Sequence, residues 1–299
     1  MKTFLHSEII PEICNRNNFK HILIDENCTK IISKNKETIV YYYDFNCNPN
    51  SNAWIARDKP TAYKYLKLNN IPAVEHIYLP YSQALEMANE YFKKHSNIVI
   101  KTCNGTCGNN VYFCNNKNTL TKAILKLTEK GTSICVSPFI NYDEEYRVII
   151  CNNKAEYQYA KVRPFVVGDG KSTIDHLINA KYPQFNIKTS LKTSNILPKN
   201  VKKNLLWKHN LCNGAQLENI SNENLKKAII NIALKTAKAL NLKVCSIDII
   251  NTEDGLKVLE VNSGLMMESL YLSSEINKEK VIQIYTKAIN ISFNKLYSE

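Results

Sequence analysis

Apolar residues along this chain recur with two periods. Between 221 and 240 they fall at Leu225, Ala228, Ile229, Ile232, Ala233, Ala237 and Leu240. That three-and-four spacing sets one stripe of a helix against a core and predicts a long helix starting at Ser221. Val281, Ile284, Tyr285, Ala288 and Ile289 predict another near the chain's end, and Leu120, Ala123, Ile124 and Leu127 one closed by Gly131 as its C′ glycine. Leu85, Ala88 and Phe92 predict a helix from Ser82. Asp58-Lys59-Pro60 reads as a helix start, with Asp58 as N-cap and proline in the first turn, running to just before Ile71-Pro72. Short apolar or alternating runs predict strands: HILID and KTIVYYYDF in the first fifty residues, then NIVIK, VYF, SICVSPFI, EYRVIIC and AEYQYAKV. Asn152-Asn153-Lys154 joins the last two as a hairpin. Gly168 to Lys171 is a turn with Ser172 capping a short helix, and residues 182–206, polar and irregular, read as a mobile loop. The mixture points to an α+β protein.

One pair of strands breaks the pattern. In CSIDIINTEDGLKVLEVNSGLMM, residues 245–267, Asp248 interrupts Ile247 and Ile249, while Glu260 and Asn262 flank Val261. Residues two apart in a strand share a face, so Glu260 and Asn262 project together, and a hairpin could bring Asp248 beside them. Two carboxylates and an amide oxygen suit a hard cation such as Mg²⁺, which prefers oxygen and shares its shell with substrate phosphates. The plainer reading is the polar face of an ordinary hairpin.

Composition narrows the partners. Of 299 residues 44% are hydrophobic and 22% charged, ordinary for a globular chain large enough for two or three subdomains. The excess of 39 basic over 27 acidic residues gives a net charge of +12, which admits nucleic acid, an anionic membrane or a phosphorylated ligand. The lysines are spread over predicted helix surfaces (Lys64, Lys67, Lys93, Lys94, Lys226, Lys227), without the compact basic run expected for nucleic acid. No apolar run approaches a membrane span, and the opening residues carry Glu8 and no continuous apolar core, so neither a membrane nor a secretory signal is expected. The ten scattered cysteines lack paired CxxC spacing, which argues against zinc and for reduced thiols in a cytoplasmic protein.

The loop after NIVIK adds chemistry. Lys101 ends the strand, Asn104-Gly105-Thr106-Cys107-Gly108-Asn109 follows, and another strand comes next. Glycines there let backbone N–H groups approach phosphates. The Walker A pattern is missing, and a plain hairpin turn explains the glycines equally well. Together with Lys101 and the distant acidic hairpin, the loop becomes a candidate nucleotide site.

The ordered set resembles the ATP-grasp superfamily, in its branch of carboxylate–amine ligases that includes cyanophycin synthetase and the ribosomal-protein and lysine-biosynthesis glutamate ligases. The resemblance spans residues 53–265. It rests on the RDK helix start, NNIPAVE, NIVIKTCNGTCGNNV, EYRVII, KVRPFVVGDGKSTIDHLI and SIDII…VLEVNSG. It implies two α/β subdomains clamping ATP behind a small α/β unit: 1–52 as that unit, 53–96 as linker helices, 97–140 as the small lid subdomain and 141–299 as the large one. It implies ATP contacts from Lys59 and Lys101, from the loop residues Asn104, Gly105, Gly108 and Asn109, from the backbone near Ser137 and Phe139 at adenine, and from Glu145 at the ribose, with Asp143 and Glu144 as competitors. Glu often stands in the family where Ser137 is. Arg147 and Arg163 would hold the γ-phosphate and acyl-phosphate oxygens; Asp248, Glu260 and Asn262 would hold Mg²⁺, or Mn²⁺; Asn210, Gly214, Ser263 and Gly264 would face the acceptor. Plainer readings make Lys59 a surface lysine, Arg147 an exposed strand residue, Arg163 one half of an ion pair and His209 a structural histidine. The implied activity is ATP-dependent ligation of an amino-acid or peptide carboxylate to an amine through an acylphosphate, in a homodimer or homotetramer. The rivals are an ATP-grasp small-molecule kinase and a non-catalytic basic nucleotide- or nucleic-acid-binding module.

Overall fold

The structure is a computed structural model and describes residues 4–105 and 108–295. Thr106 and Cys107, inside the glycine loop, lie outside the described residues. A π-helical turn, Leu5–Ile9, runs into α1 (Ile10–Asn17), which Asn18 ends in the left-handed conformation. β1 (Lys20–Asp25), β2 (Cys28–Ser33) and β3 (Lys36–Tyr41) form an antiparallel meander. The apolar run HILID does form a strand, yet it is exposed along its whole length, because β1 is an edge paired only with β2. α2 (Asn50–Arg57) and α3 (Lys59–Leu68) follow, and Asp58 caps α3 by accepting from the Thr61 amide at 2.9 Å.

β4 (Ile77–Leu79), α4 (Ala84–His95), β5 (Ile98–Thr102), β6 (Val111–Cys114), α5 (Lys117–Thr128) and β7 (Ile134–Pro138) make a four-stranded antiparallel sheet, order β4-β7-β5-β6, carrying two helices. Ile98, Ile100 and Val136 pack against Ala84, Ala88, Leu120, Ile124 and Leu127. The helix expected from Ser82 starts two residues later and buries Ala84, Ala88 and Tyr91, while Leu85 stays exposed. Small alanines let the helix sit close to the sheet, and the bulkier leucine is left outside. β4 joins the sheet by pairing with β7, so the sheet also draws on residues before 97.

A second sheet holds the rest. β8 (Glu144–Cys151) and β9 (Lys154–Val162) turn through Asn152 and Asn153, both at positive φ. β10 (Phe165–Val167), α6 (Ile174–Lys181) and β11 (Lys202–Asn204) make a side lobe; β12 (Gln216–Glu218), α7 (Glu223–Ala239), β13 (Val244–Thr252), β14 (Gly255–Asn262), α8 (Glu268–Tyr271) and α9 (Glu275–Lys295) complete the chain. The sheet order is β12-β9-β8-β13-β14, all antiparallel. Its α7 face buries Ile229, Ala233, Ala237 and Leu240 on Val148, Ile150, Ile247 and Ile249. The other face shares a core with the N-terminal unit and α9, where Phe45 stacks on Tyr285 at 5.0 Å.

Two caps differ from expectation by one residue: Asn222 caps α7 and Thr173 caps α6, while the Ser172 hydroxyl donates to Asp169. The stretch expected as a mobile loop is tied down. Phe185, Ile187, Leu191, Leu197 and Leu205 gather on Val166, Ile174 and Tyr182, and β11 pairs with β10. Among the described residues no helix is long and apolar enough to cross a membrane, and the nine described cysteines are free thiols.

Candidate active site

A cavity of about 1150 Å³ opens between the two sheets, with the N-terminal unit as its third wall. That exceeds the roughly 300–1,000 Å³ of a pocket for one drug-sized ligand. Lys59 enters from the start of α3 and Lys101 from the end of β5, both buried. Lys59 Nζ donates to the Gly105 carbonyl at 2.9 Å and lies 3.7 Å from Glu260 Oε1. The Lys101 ammonium has no hydrogen bond or ion pair with any described residue. Burial pushes its ammonium pKa down, and Lys59 lowers it further. Beneath them His76 donates through Nδ1 to the Val74 carbonyl, and its Nε2 has no partner among the described residues. Burial first, then Lys101, holds this imidazole neutral. Burying like charges together is costly unless an anion arrives to meet them.

The acidic hairpin faces the lysines. β13 sets Asp248 opposite Glu260 and Ser246 opposite Asn262, with a bulge beside Asp248 that seats the extra residue Leu259. All three candidate metal ligands line the cavity. Asp248 is already engaged: Arg147 grips it with Nε at 2.8 Å and Nη2 at 2.6 Å, and Lys161 Nζ lies 3.1 Å away. Burial alone would raise the Asp248 carboxyl, but these two cations outweigh it and hold it well below the usual range. Arg147, expected at the γ-phosphate, is therefore committed to Asp248 through a bidentate fork. Glu145, expected at the ribose, is paired with Lys161 and accepts from the Tyr142 hydroxyl at 3.1 Å; burial raises its carboxyl. Its competitor Asp143 sits on the surface, joined to Arg163, and the Glu144 carboxylate accepts from Tyr146. Among the described residues no cluster of three or more His, Cys, Asp or Glu side chains could hold a metal. The candidate set is two carboxylates and an amide, oxygen donors that fit Mg²⁺. Among the described residues Glu260 forms an ion pair with Lys59 alone, and Asn262 turns its amide nitrogen toward Asp248 at 3.5 Å.

The glycine loop is drawn inward. Lys208 Nζ donates to the Gly108 carbonyl at 2.9 Å, and Asn210 packs so close that a Cβ on Gly108 would meet its Oδ1 at 2.4 Å. Asn104, Gly105, Gly108 and Asn109 all line the cavity. Ser137, Phe139 and Val99 also line the cavity, and the Phe139, Phe113 and Trp207 rings lie within 6.0 Å of one another. The Phe139 amide is spent on the Asn97 carbonyl at 3.0 Å, so the residue offers its ring rather than its N–H. Arg163 is buried, with Nη1 on Asn141 and Nη2 on Asp143, and its Nε has no described partner. His209 stacks on Tyr142 and donates through Nε2 to the Asp143 carbonyl; burial pushes its pKa down to about 4. Its Nδ1 is buried and has no partner among the described residues.

On the acceptor side the placements divide. Asn210, Ser263 and Gly264 line the cavity, and Gly214 does not. Gly214 closes the turn Leu211–Asn213 at φ 89°, a conformation suited to glycine, with Ile187 just beyond. Gly264 is a close-approach residue: a Cβ there would lie 2.8 Å from the Tyr43 carbonyl oxygen. Ser263 accepts from Arg57 Nε at 2.8 Å, and Arg57 Nη2 donates to Asp44 at 2.7 Å. Arg57, Lys161 and His76 were not singled out in the sequence. The RDK triplet was the available signal for Arg57; Lys161 and His76 sit at positions that look ordinary.

Comparison with known proteins matches this architecture. A model of the RimK-like ATP-grasp domain matches residues 56–169 and 199–285, more than half of the chain. Over 87 residues the chain is 40% identical to the tetrahydromethanopterin:alpha-L-glutamate ligase of Methanocaldococcus jannaschii, a match covering 27% of this chain and 28% of that protein. A bifunctional glutathione synthetase from Pasteurella multocida superposes with a TM-score of 0.56 at 16% identity, covering 91% of this chain and 42% of that one. A D-alanine–D-alanine ligase from Bacillus anthracis gives 0.59 at 17% identity, over 83% and 70%. At such identities the structural likeness is one of fold, and the chain spans well under two thirds of the glutathione synthetase. The match of the domain model to strands and helices on both sides of the cleft is the decisive one: this chain belongs to the RimK-like ATP-grasp family.

Proposed function

We propose that the protein is an ATP-dependent ligase that joins a carboxylate to an amine through an acylphosphate, with amino acids or peptides as substrates. One observation carries this reading. Lys101, buried and unpartnered among the described residues, stands beside buried Lys59 and opposite an oxygen-donor set. Such a pair is stabilised by a polyanion, and a triphosphate with its magnesium supplies one. Asp248, Glu260 and Asn262 would hold Mg²⁺, which neutralises phosphate charge during transfer.

The chain's own residues then divide the work. Lys59 and Lys101 bind the phosphates. Arg147 and Lys161 orient Asp248 and keep it ionised, so Arg147 acts here as a positioning residue. Arg163, whose buried Nε has no partner among the described residues, is suited to receive an oxygen of the transferred group. Gly105 and Gly108 let the loop lie close over the phosphates, excluding water that would hydrolyse the activated carboxylate. Phe139 and Trp207 offer ring faces to the base. The small-molecule kinase rival has no observation of its own in its favour. The deciding experiment is a phosphate-release screen of paired amino acids and short peptides with Mg²⁺ and ATP. Release that needs both a carboxylate and an amine supports the ligase; a phosphorylated product without released phosphate refutes it. With an active pair, Glu260→Gln should reduce turnover by about a hundredfold or more, as expected for loss of a group that stabilises transferred charge.

A further inference from the structure

The family match breaks off at residue 169 and resumes at 199. The gap falls in the side lobe, residues 165–204, which has its own small core of Val166, Ile174, Ile178, Tyr182 and Leu205. This lobe is strongly basic. It holds seven lysines (Lys171, Lys181, Lys188, Lys192, Lys199, Lys202 and Lys203) against two aspartates, with no arginine or glutamate. All seven are exposed, and none takes part in an ion pair among the described residues. The aspartates are occupied locally: Asp169 accepts from the Lys171 and Ser172 amides, and Asp175 from Asn179. Lys181 and Lys202 converge on the Phe165 ring at 3.5 and 4.0 Å, although each repels the other.

The lobe leads into the cleft. β11 pairs only with β10, leaving its outer edge without a strand among the described residues. It runs through Leu205 into Trp207 and Lys208, which line the cavity, and Lys208 holds the Gly108 carbonyl. Polyanions of two kinds could answer such a charge. The exposed large apolar side chains of the lobe are Val167, Ile196 and Val201, all aliphatic. Single-stranded nucleic acid needs open ring faces for its bases and favours arginine, and the lobe presents neither. A polypeptide can use aliphatic contacts and an open strand edge.

We propose that the lobe is a docking surface for an acidic polypeptide, which it steers into the cleft as a substrate. The substrate role rests on the ligase reading; the docking itself does not. The test is fluorescence anisotropy at low salt, without ATP, using a labelled peptide rich in Asp and Glu and a single-stranded oligonucleotide of equal charge. The variant Lys171→Glu/Lys188→Glu/Lys192→Glu/Lys199→Glu spares the Phe165 contacts and the lobe's core. A control, Lys64→Glu/Lys93→Glu/Lys94→Glu/Lys227→Glu, makes the same change in net charge on distant exposed helix surfaces. Peptide affinity should fall about tenfold or more in the lobe variant, remain near the parent's in the control, and weaken with salt. No peptide binding, an equal loss in both variants, or tighter binding of the oligonucleotide overturns the proposal. If the peptide docks but stimulates no phosphate release with any amine or carboxylate partner, the substrate role falls while docking stands. If it fails to dock while small pairs still turn over, the ligase reading stands alone.

Discussion

Lys101 carries opposing demands on stability and binding. Its ammonium is buried, lies near a second lysine, and forms no ion pair among the described residues, Glu260 and Glu145 offsetting its charge only from a distance. Lys101→Met keeps length and removes the charge, so the variant should gain about 1 kcal/mol or more against denaturant, since an unpaired buried charge is expensive. On the proposed function it should also lose nucleotide affinity by about tenfold or more, one charge-assisted contact being worth over 1 kcal/mol. Urea unfolding and a nucleotide titration test both halves, and a destabilised variant with parental affinity contradicts them. His209 gives a pH signature. Its pKa is pushed down to about 4 by burial, whereas the unfolded chain's imidazole titrates near ~6.5. Between those values the unfolded state binds a proton that the folded state refuses, so stability falls as the pH falls. One such group contributes at most about 1.4 kcal/mol per pH unit, levelling off once the folded-state pKa is passed. His209→Gln keeps a donor for the Asp143 carbonyl and should flatten the acid side of the stability–pH curve by that one proton. An unchanged slope would mean His209 is already protonated in the fold.

Single side chains also join whole elements, and Asn48 is the clearest case. Its Oδ1 accepts from the Lys243 and Val244 amides at 2.8 and 3.0 Å, and its Nδ2 donates to the Val244 and Ser263 carbonyls at 2.7 and 2.9 Å. It fastens the N-terminal unit to the start of β13 and the end of β14, directly behind Asn262. Asn48→Ala strands buried backbone groups on both strands and should cost about 2–4 kcal/mol in urea unfolding; a cost under 1 kcal/mol would mean water replaces the side chain. Nothing in NCNPNSN marks this asparagine apart from its neighbours, which sets the limit on what periodicity reveals. The strands and helices around both cores were legible because a buried face imposes its period, as in α7, α9, β5 and β8. Caps slipped by one residue because Ser221 and Asn222, like Ser172 and Thr173, are equally able to cap. The side lobe was hidden because its core draws on irregularly spaced residues. In the candidate site, the acidic trio stood out as polar breaks in apolar runs, Lys101 as a charge at the end of a strand before a glycine loop, and Lys59 only through the family resemblance. The commitment of Arg147 to Asp248 could not be read, since the partners are 101 residues apart in sequence.

At the scale of the molecule, the cleft is where three parts meet: the four-stranded sheet, the five-stranded sheet and the N-terminal unit all contribute walls. A ligand there touches every part, so its binding energy appears as stability of the whole fold. A ligand at a hundred times its dissociation constant adds about 2.7 kcal/mol. On the proposed function, nucleotide with Mg²⁺ should raise the melting temperature more than nucleotide with a chelator, and Mg²⁺ alone should raise it least, because the oxygen set is completed by phosphate. The two sides of the cleft can be separated by variants. Glu260→Gln should abolish the extra stabilisation by Mg²⁺ and leave the metal-free nucleotide effect largely intact; Lys101→Met should reduce both. If the metal-dependent increment survives Glu260→Gln unchanged, the ion is held by other atoms, and the β13–β14 hairpin is a polar strand pair that only lines the cavity. If it vanishes there and persists in Lys101→Met, the hairpin holds the ion and the lysine side is not the phosphate grip.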